Sequence, residues 1–244
     1  MSVHTITIAS RFMGPPGSGN GGYTAGRLAS HVGDGDGGIP VSVTLRQPPP
    51  LDVSMRVEHT DQTRLLLAGS IIAQANPGKL RGEPVEPVEM AVAAEAESTY
   101  RGRLDHPFPT CFTCGTGRQS GDALRLMPGL FAPGRTACVW VPDSSLAAAA
   151  NSDVAATEFA WAALDCPGGW TSDLDVRPLV LGQMTALCDE PPLIGQPHVI
   201  VGQLLAEEGR KTFTATTLYD DDGRVLGRAE HVWIAVDPAT FGSR

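Results

Sequence analysis

Residues 14–22 read GPPGSGNGG, and Gly17, Gly19 and Gly22 within them have the G-x-G-x-x-G spacing of a dinucleotide-binding turn. A strand-like run, HTITIASRF, precedes these glycines, and a helix-like run, YTAGRLASHV, follows them. Both flanking runs fit the start of a nucleotide-binding βαβ unit. The segments that come next decide whether the rest of such a fold is present.

Strand patterns rather than a second helix follow this first helix. Residues 41–45 and 53–57 each alternate apolar with polar side chains, and the runs TRLLLAG and SIIAQANP (63–77) are typical of a hairpin. A doubly wound nucleotide fold would continue to alternate strands with helices. The sequence therefore argues against a dinucleotide-binding domain and predicts an antiparallel sheet.

The second half of the chain repeats this order. The run DVAATEFAWAALD (153–165) predicts a helix with Asp153 as its N-cap and an end fixed by Pro167 and the pair Gly168 and Gly169. Two strand candidates, ALRLMPGLF and TACVWVP, precede the helix. Four more strand candidates follow it: LVLGQMTALCD, PHVIVGQLLAEE, KTFTATTLYD and RVLGRAEHVWIAV. Each half is thus one helix followed by consecutive strands, which is an internal repeat in element order.

A segment rich in Pro, Gly and charged residues, 77–123, separates the two halves. We place the junction within it and predict an N-terminal unit at 1–104 and a C-terminal unit at 105–244. Inside this segment, VEMAVAAEAESTY (88–100) is interpreted as one further strand.

Composition narrows the class of protein. The 244 residues are 42% hydrophobic and 18% charged, and the net charge of −9 argues against a nucleic-acid partner. The N-terminus has no basic region followed by an apolar stretch, and no apolar run approaches the roughly 20 residues that span a bilayer. These observations predict a cytoplasmic protein with no membrane span.

Five cysteines leave at least one thiol unpaired, so they do not suggest a disulfide framework. Cys111 and Cys114 form a lone C-x-x-C pair in HPFPTCFTCG. His106 could supply a third metal ligand, but no fourth ligand is evident, because the other cysteines are scattered through apolar segments: Cys138, Cys166 and Cys188. Two ordinary thiols in a turn are favoured, with a metal site and redox chemistry as the alternatives.

The order of a helix and a meander, found twice, is that of the hotdog fold. The stretches GNGGYTAGRLASHV and VSVTLRQPPPLD resemble the first half of acyl-CoA thioesterases of the double-hotdog type. In the second half, AALDCPGGW is similar to the helix segment of hotdog thioesterases, and TLYDDDGRVLGRAEHVWIAV resembles their terminal hairpin. The resemblance implies an α+β tandem hotdog, with two curved antiparallel sheets that each wrap one central helix.

The resemblance also implies a reaction: hydrolysis by water of an acyl-CoA or an acyl-carrier thioester, without a cofactor or a metal. In these relatives a helix Asp works with a Thr or Ser on the next strand and a Gln on the last strand. Asp165 matches the Asp, and Thr185 matches the hydroxyl residue. The third place is occupied by His231 instead of Gln, which departs from the pattern.

The residue types themselves suit this chemistry. Burial near the end of an apolar helix would raise the pKa of Asp165 toward that of a useful base, although an Asp there could instead cap the following turn. Gly21 and Gly22 allow close approach to the N–H groups of a helix start, and we predict Gly22 and Tyr23 as oxyanion donors. Asn20 either contributes its amide to substrate or caps the helix.

Two other functions remain open at this point. The scaffold could bind acyl-CoA or lipid without catalysis, or, with less support, act as an enoyl-CoA hydratase or dehydratase. Two hotdog units in one chain would already form the pair that single-unit proteins form by dimerisation, so the sequence predicts a monomer or a homodimer of such units.

Overall fold

The computed structural model describes residues 4–33 and 38–237. These residues form three α-helices, α1 (Gly21–Ala29), α2 (Met90–Ala96) and α3 (Thr157–Gly169). They also form eleven strands: β1 (Thr5–Thr7), β2 (Val41–Leu45), β3 (Ser54–His59), β4 (Thr63–Leu67), β5 (Ser70–Pro77), β6 (Gly129–Ala132), β7 (Arg135–Trp140), β8 (Leu179–Cys188), β9 (His198–Glu208), β10 (Lys211–Tyr219) and β11 (Val225–Ala235). The strands predicted on either side of each main helix are confirmed. Within the described ranges, none of the helices is long and apolar enough to cross a bilayer.

The strands lie in one continuous sheet, with the order β1-β3-β4-β5-β2-β8-β11-β10-β9-β7-β6. The predicted pair of separate sheets is wrong in this respect. The two halves join because β2 and β8 pair antiparallel, with Val41 opposite Ala186 and Thr44 opposite Gln183. Five strands from the first half of the chain lie on one side of this seam, and six from the second half lie on the other.

The helix α1 begins as predicted at the glycine pair. The Asn20 side chain caps it, because Oδ1 accepts a hydrogen bond of 2.8 Å from the Tyr23 N–H. One face of α1 packs closely on α3, where Gly26 lies against Trp161 and Gly22 lies against Asp165. The two helices cover the same face of the sheet and share one core with it.

The helix α3 differs from the prediction at its start. Its N-cap is Ala156 rather than Asp153, because Val154 and Ala155 form isolated β-bridges before the helix starts. The helix ends at Gly169, as the predicted Pro-Gly-Gly stop indicates, and Pro167 lies inside its last turn. Threonine hydroxyls from neighbouring strands satisfy carbonyls in this last turn: Thr216 donates to Leu164 O at 2.8 Å, and Thr136 donates to Pro167 O at 2.7 Å. These bonds help a buried helix end to tolerate a proline.

The predicted strand at 88–100 is wrong, because its central residues form α2. Alanine, glutamate and methionine favour a helix, and this propensity outweighs the weak alternation of the segment. The helix packs on the opposite face of the second-half sheet in a smaller apolar cluster that contains Ala93, Val199 and Tyr219. The linker from β5 thus covers the outer surface of the second half.

Candidate functional site

A cavity of about 220 Å³ opens where the first turn of α1 meets α3 and the ends of β8 and β11. Most of its wall is apolar, from Phe108, Leu181 and Trp233 among others. The polar side chains among its lining residues come from separate parts of the chain: Ser18, Asn20, Arg46, Gln47, His106, Cys111, Cys114, Asp165 and Cys166. An apolar pocket with a few convergent polar groups is the usual form of a small-molecule site.

Asp165 lies at this cavity with 2% of its surface exposed. Its Oδ2 accepts hydrogen bonds from the Gly22 N–H at 2.9 Å and from the Asn20 Nδ2 at 3.1 Å. Its Oδ1 is buried and has no hydrogen-bond partner among the described residues. The carboxylate is therefore fixed through one oxygen, while the other remains available as an acceptor.

Burial raises the pKa of Asp165 to about 7, and the hydrogen bond from the Gly22 N–H opposes part of that rise. A carboxylate whose pKa lies near neutrality is a stronger base than one with the ordinary value of about 4. The position thus has the electrostatic character expected of a general base.

The predicted oxyanion donors are already occupied. The Gly22 N–H donates to Asp165, and the Tyr23 N–H donates to Asn20. The Gly21 N–H, in contrast, makes no hydrogen bond to another described residue, and Gly21 lines the cavity. The first turn of α1 therefore offers one free donor, one residue before the pair that the sequence suggested.

Thr185 lies away from Asp165. Its neighbours Met184 and Ala186 are buried in the core on the helix-covered face, so the alternation of β8 directs Thr185 to the opposite face. There its hydroxyl donates to Ser42 Oγ at 3.0 Å. The structure does not bring this residue to the cavity.

His231 is on the helix-covered face but does not line the cavity either. It is 2% exposed and lies beneath the last turn of α3, next to Gly168. Its Nδ1 is 3.2 Å from Thr214 Oγ1, which also accepts a hydrogen bond from Trp233 Nε1 at 2.9 Å. These contacts make His231 part of a buried polar cluster that supports α3.

The His231 site leads to a prediction about acid stability. Burial lowers the pKa of His231 to about 4, so the unfolded chain binds this proton at a higher pH than the folded chain does. His231 therefore contributes fully to the free energy of unfolding above its unfolded pKa of about 6.5. This contribution decreases by about 3 kcal/mol as the pH falls toward 4. We expect the free energy of unfolding, measured with urea, to decrease less over this pH range for His231→Asn than for the wild type. Equal slopes for His231→Asn and the wild type between pH 6.5 and 4 would contradict the assignment.

The C-x-x-C pair also reaches the cavity, and a third thiol from α3 joins it. Cys111, Cys114 and Cys166 are buried, with their sulfur atoms within 4.8 Å of one another. The sequence pattern missed Cys166 as a member because it is 52 residues from Cys114 and lies inside an apolar helix. Two signals could have indicated Cys166: it directly follows Asp165 in the sequence, and the C-x-x-C pair lacks further ligands nearby.

Solved structures similar to this one cover nearly the whole chain. A candidate thioesterase from Novosphingobium aromaticivorans matches with a TM-score of 0.62 and 13% identity over 97% of this chain and 96% of that one. The tesB protein of Mycobacterium avium subsp. paratuberculosis matches at 0.58 and 11% identity, covering 89% and 87%. A conserved hot dog fold protein of unknown function from Alicyclobacillus acidocaldarius matches at 0.54 and 10% identity, covering 97% and 96%. The chain has a hotdog fold.

No family model and no curated protein matches this hotdog chain by sequence. At 10–13% identity, similarity to these solved structures shows the fold but not the reaction. Any activity therefore depends on the groups at the cavity, of which Asp165 and the first turn of α1 form the centre.

Proposed function

We propose that this protein hydrolyses an acyl thioester of CoA or of an acyl carrier, with Asp165 as the base that activates water. The observation that carries the proposal is the state of the Asp165 carboxylate. One oxygen is held by the Gly22 N–H and the Asn20 amide, the other is buried and unpartnered, and the residue lines a cavity. A positioned carboxylate of this kind can accept the proton of a bound water.

The reaction follows from these groups. Water donates a proton to Asp165 Oδ1 while its oxygen attacks the acyl carbon, and the carbonyl oxygen takes up the negative charge. The free Gly21 N–H at the positive end of α1 stabilises that oxyanion. The carbonyl then reforms, the carbon–sulfur bond breaks, and the proton held by Asp165 passes to the leaving thiolate.

The cavity suits a short acyl group. Its volume of about 220 Å³ is below the roughly 300–1,000 Å³ of pockets that hold whole drug-sized ligands, so the acyl end enters and the carrier remains outside. Leu45, Leu174 and Leu179 supply apolar surface for the acyl chain. Arg46 is the cavity's one arginine or lysine among the described residues, and its charge suits a phosphate-bearing carrier.

The likeness to tesB and candidate thioesterase structures supplies the fold on which this reaction is proposed. We further propose that the single sheet is a tandem hotdog, with units at 1–104 and 105–244. This arrangement is supported by α1 and α3, which lie on the same face of the sheet, and by the β2–β8 seam that joins strands from the two halves.

Release of free thiol from a panel of acyl-CoAs tests the proposal. We expect turnover with saturable kinetics and a preference for short acyl groups, because the cavity is small. Acyl-CoA binding without thiol release would instead indicate a non-catalytic binding protein. Hydration of an enoyl-CoA without thioester cleavage would indicate a hydratase, and either result would overturn the proposal.

A further inference from the structure

Three cysteine side chains converge beside the cavity, and the function proposed above does not use them. Cys111 and Cys114 come from the loop that follows α2, and Cys166 comes from α3. The Cys111 and Cys166 sulfur atoms are 3.7 Å apart, and the three sulfur atoms all lie within 4.8 Å of one another. All three thiols are buried and free.

The spacing suits a shared metal ion. A tetrahedral zinc ion with Zn–S bonds of about 2.3 Å holds its sulfur ligands about 3.8 Å apart. The observed 3.7 Å between Cys111 and Cys166 matches that separation. A disulfide would need the two sulfur atoms to approach to about 2.05 Å, and it would leave the third thiol unpaired.

The loop is built to present two sulfur atoms on one side. The turn closes through hydrogen bonds of 2.9 Å from the Gly115 N–H to Cys111 O and 2.8 Å from the Gly117 N–H to Pro109 O. A Cβ at Gly115 would lie 2.5 Å from the carbonyl oxygens of both Pro109 and Cys111. Glycine at this position therefore allows the tight turn after the C-x-x-C pair.

Several N–H donors surround the sulfur atoms. Asn20 Nδ2 is 3.7 Å from Cys111 Sγ, and Trp170 Nε1 is 3.5 Å from Cys114 Sγ. His106 Nδ1 accepts a hydrogen bond from the Phe108 N–H at 2.9 Å, so its neutral ring carries the proton on Nε2, which lies 3.4 Å from Cys114 Sγ. Donors of this kind stabilise thiolates and orient metal ligands.

Burial disfavours three thiolates that have no cation beside them. A divalent ion would offset two of the three negative charges, so metal binding and loss of the three thiol protons would occur together.

We propose that Cys111, Cys114 and Cys166 bind one zinc ion as thiolates, with its fourth coordination position toward the cavity. A donor set of thiolates alone selects soft metals, and zinc accepts such ligands in tetrahedral geometry. Binding replaces three S–H bonds with three Zn–S bonds and releases three protons. His106 acts as a donor to Cys114 rather than as a ligand, and the fourth position is left to water or to a ligand in the cavity.

Metal analysis of the purified protein tests this site. We expect elemental mass spectrometry to find about one zinc ion per chain. Cys111→Ser and Cys166→Ser should each lower the affinity for zinc about tenfold or more. Cys188→Ser removes a thiol outside the cluster and should keep the zinc content of the wild type. Circular dichroism of each variant separates loss of metal from loss of fold.

Cobalt substitution provides a second measurement that uses the wild-type chain. After chelation and reduction, added Co²⁺ should give sulfur-to-cobalt charge-transfer absorption and the visible bands of a tetrahedral site, and Cys188→Ser should give the same spectrum. The proposal is overturned if the reduced wild type binds neither Zn²⁺ nor Co²⁺, if Cys166→Ser keeps wild-type affinity, or if the intact mass shows a disulfide within the cluster. Thioesterase activity is not needed for any of these outcomes.

Discussion

An Asp165→Asn variant is expected to lose about 10²–10⁴-fold in kcat for thioester hydrolysis. The asparagine carbonyl can still accept the hydrogen bonds that the Gly22 N–H and the Asn20 amide now give to Oδ2. Its NH₂ group then takes the place of the unpartnered Oδ1, where it cannot accept a proton from water. KM should change little, because the cavity keeps its shape, so steady-state kinetics on the preferred acyl-CoA measure the effect.

Two controls separate lost chemistry from lost structure. Asp153 is exposed and precedes α3, so Asp153→Asn makes the same chemical change away from the cavity and should keep wild-type kcat. The midpoint of thermal unfolding and the zinc content of Asp165→Asn should both stay close to the wild type. A kcat within about threefold of the wild type would show that Asp165 is not the base.

Most of the fold could be predicted because local patterns agree with the final architecture. The alternation at 41–45 and 53–57 corresponds to β2 and β3, and the glycine pair at the start of α1 was located correctly. The joining of the two halves into one sheet could not be predicted. It depends on pairing between β2 and β8, which are far apart along the chain. Sequence periodicity reports which face of a strand is buried, but not which strand lies beside it.

The site was only partly predictable for a related reason. Asp165 and the first turn of α1 were both candidates from the sequence, because a carboxylate on an apolar helix and glycines at a helix start have local signatures, and the structure brings the two together. Thr185 was expected at the cavity, yet the alternation of β8 directs it to the opposite face. Gly182 forms an irregularity in the pairing of β8 with β11, and such a bulge changes which side chains share a face. The Cys166 contact with Cys111 likewise depends on tertiary packing.

A Gly22→Ala variant is expected to be less stable than the wild type by about 1–3 kcal/mol, which urea unfolding would measure. A Cβ at this position would lie 2.6 Å from Asp165 Cβ and 2.7 Å from Trp161 O, so α1 and α3 would have to separate. Alanine favours a helix over glycine by about 1 kcal/mol, but this gain is smaller than the cost of overlap with a backbone oxygen in the core.

The same substitution tests how the site is held. The Gly22 N–H fixes the Asp165 carboxylate only while the two helices remain in close contact, so a shift of α1 should lower kcat together with stability. Gly82→Ala is the matched control, since the nearest atom to its added Cβ is Glu230 Oε1 at an ordinary 3.5 Å, and it should change stability by less than about 0.5 kcal/mol. A Gly22→Ala variant with both the stability and the kcat of the wild type would show that neither the packing of α1 on α3 nor the position of Asp165 requires glycine at this position.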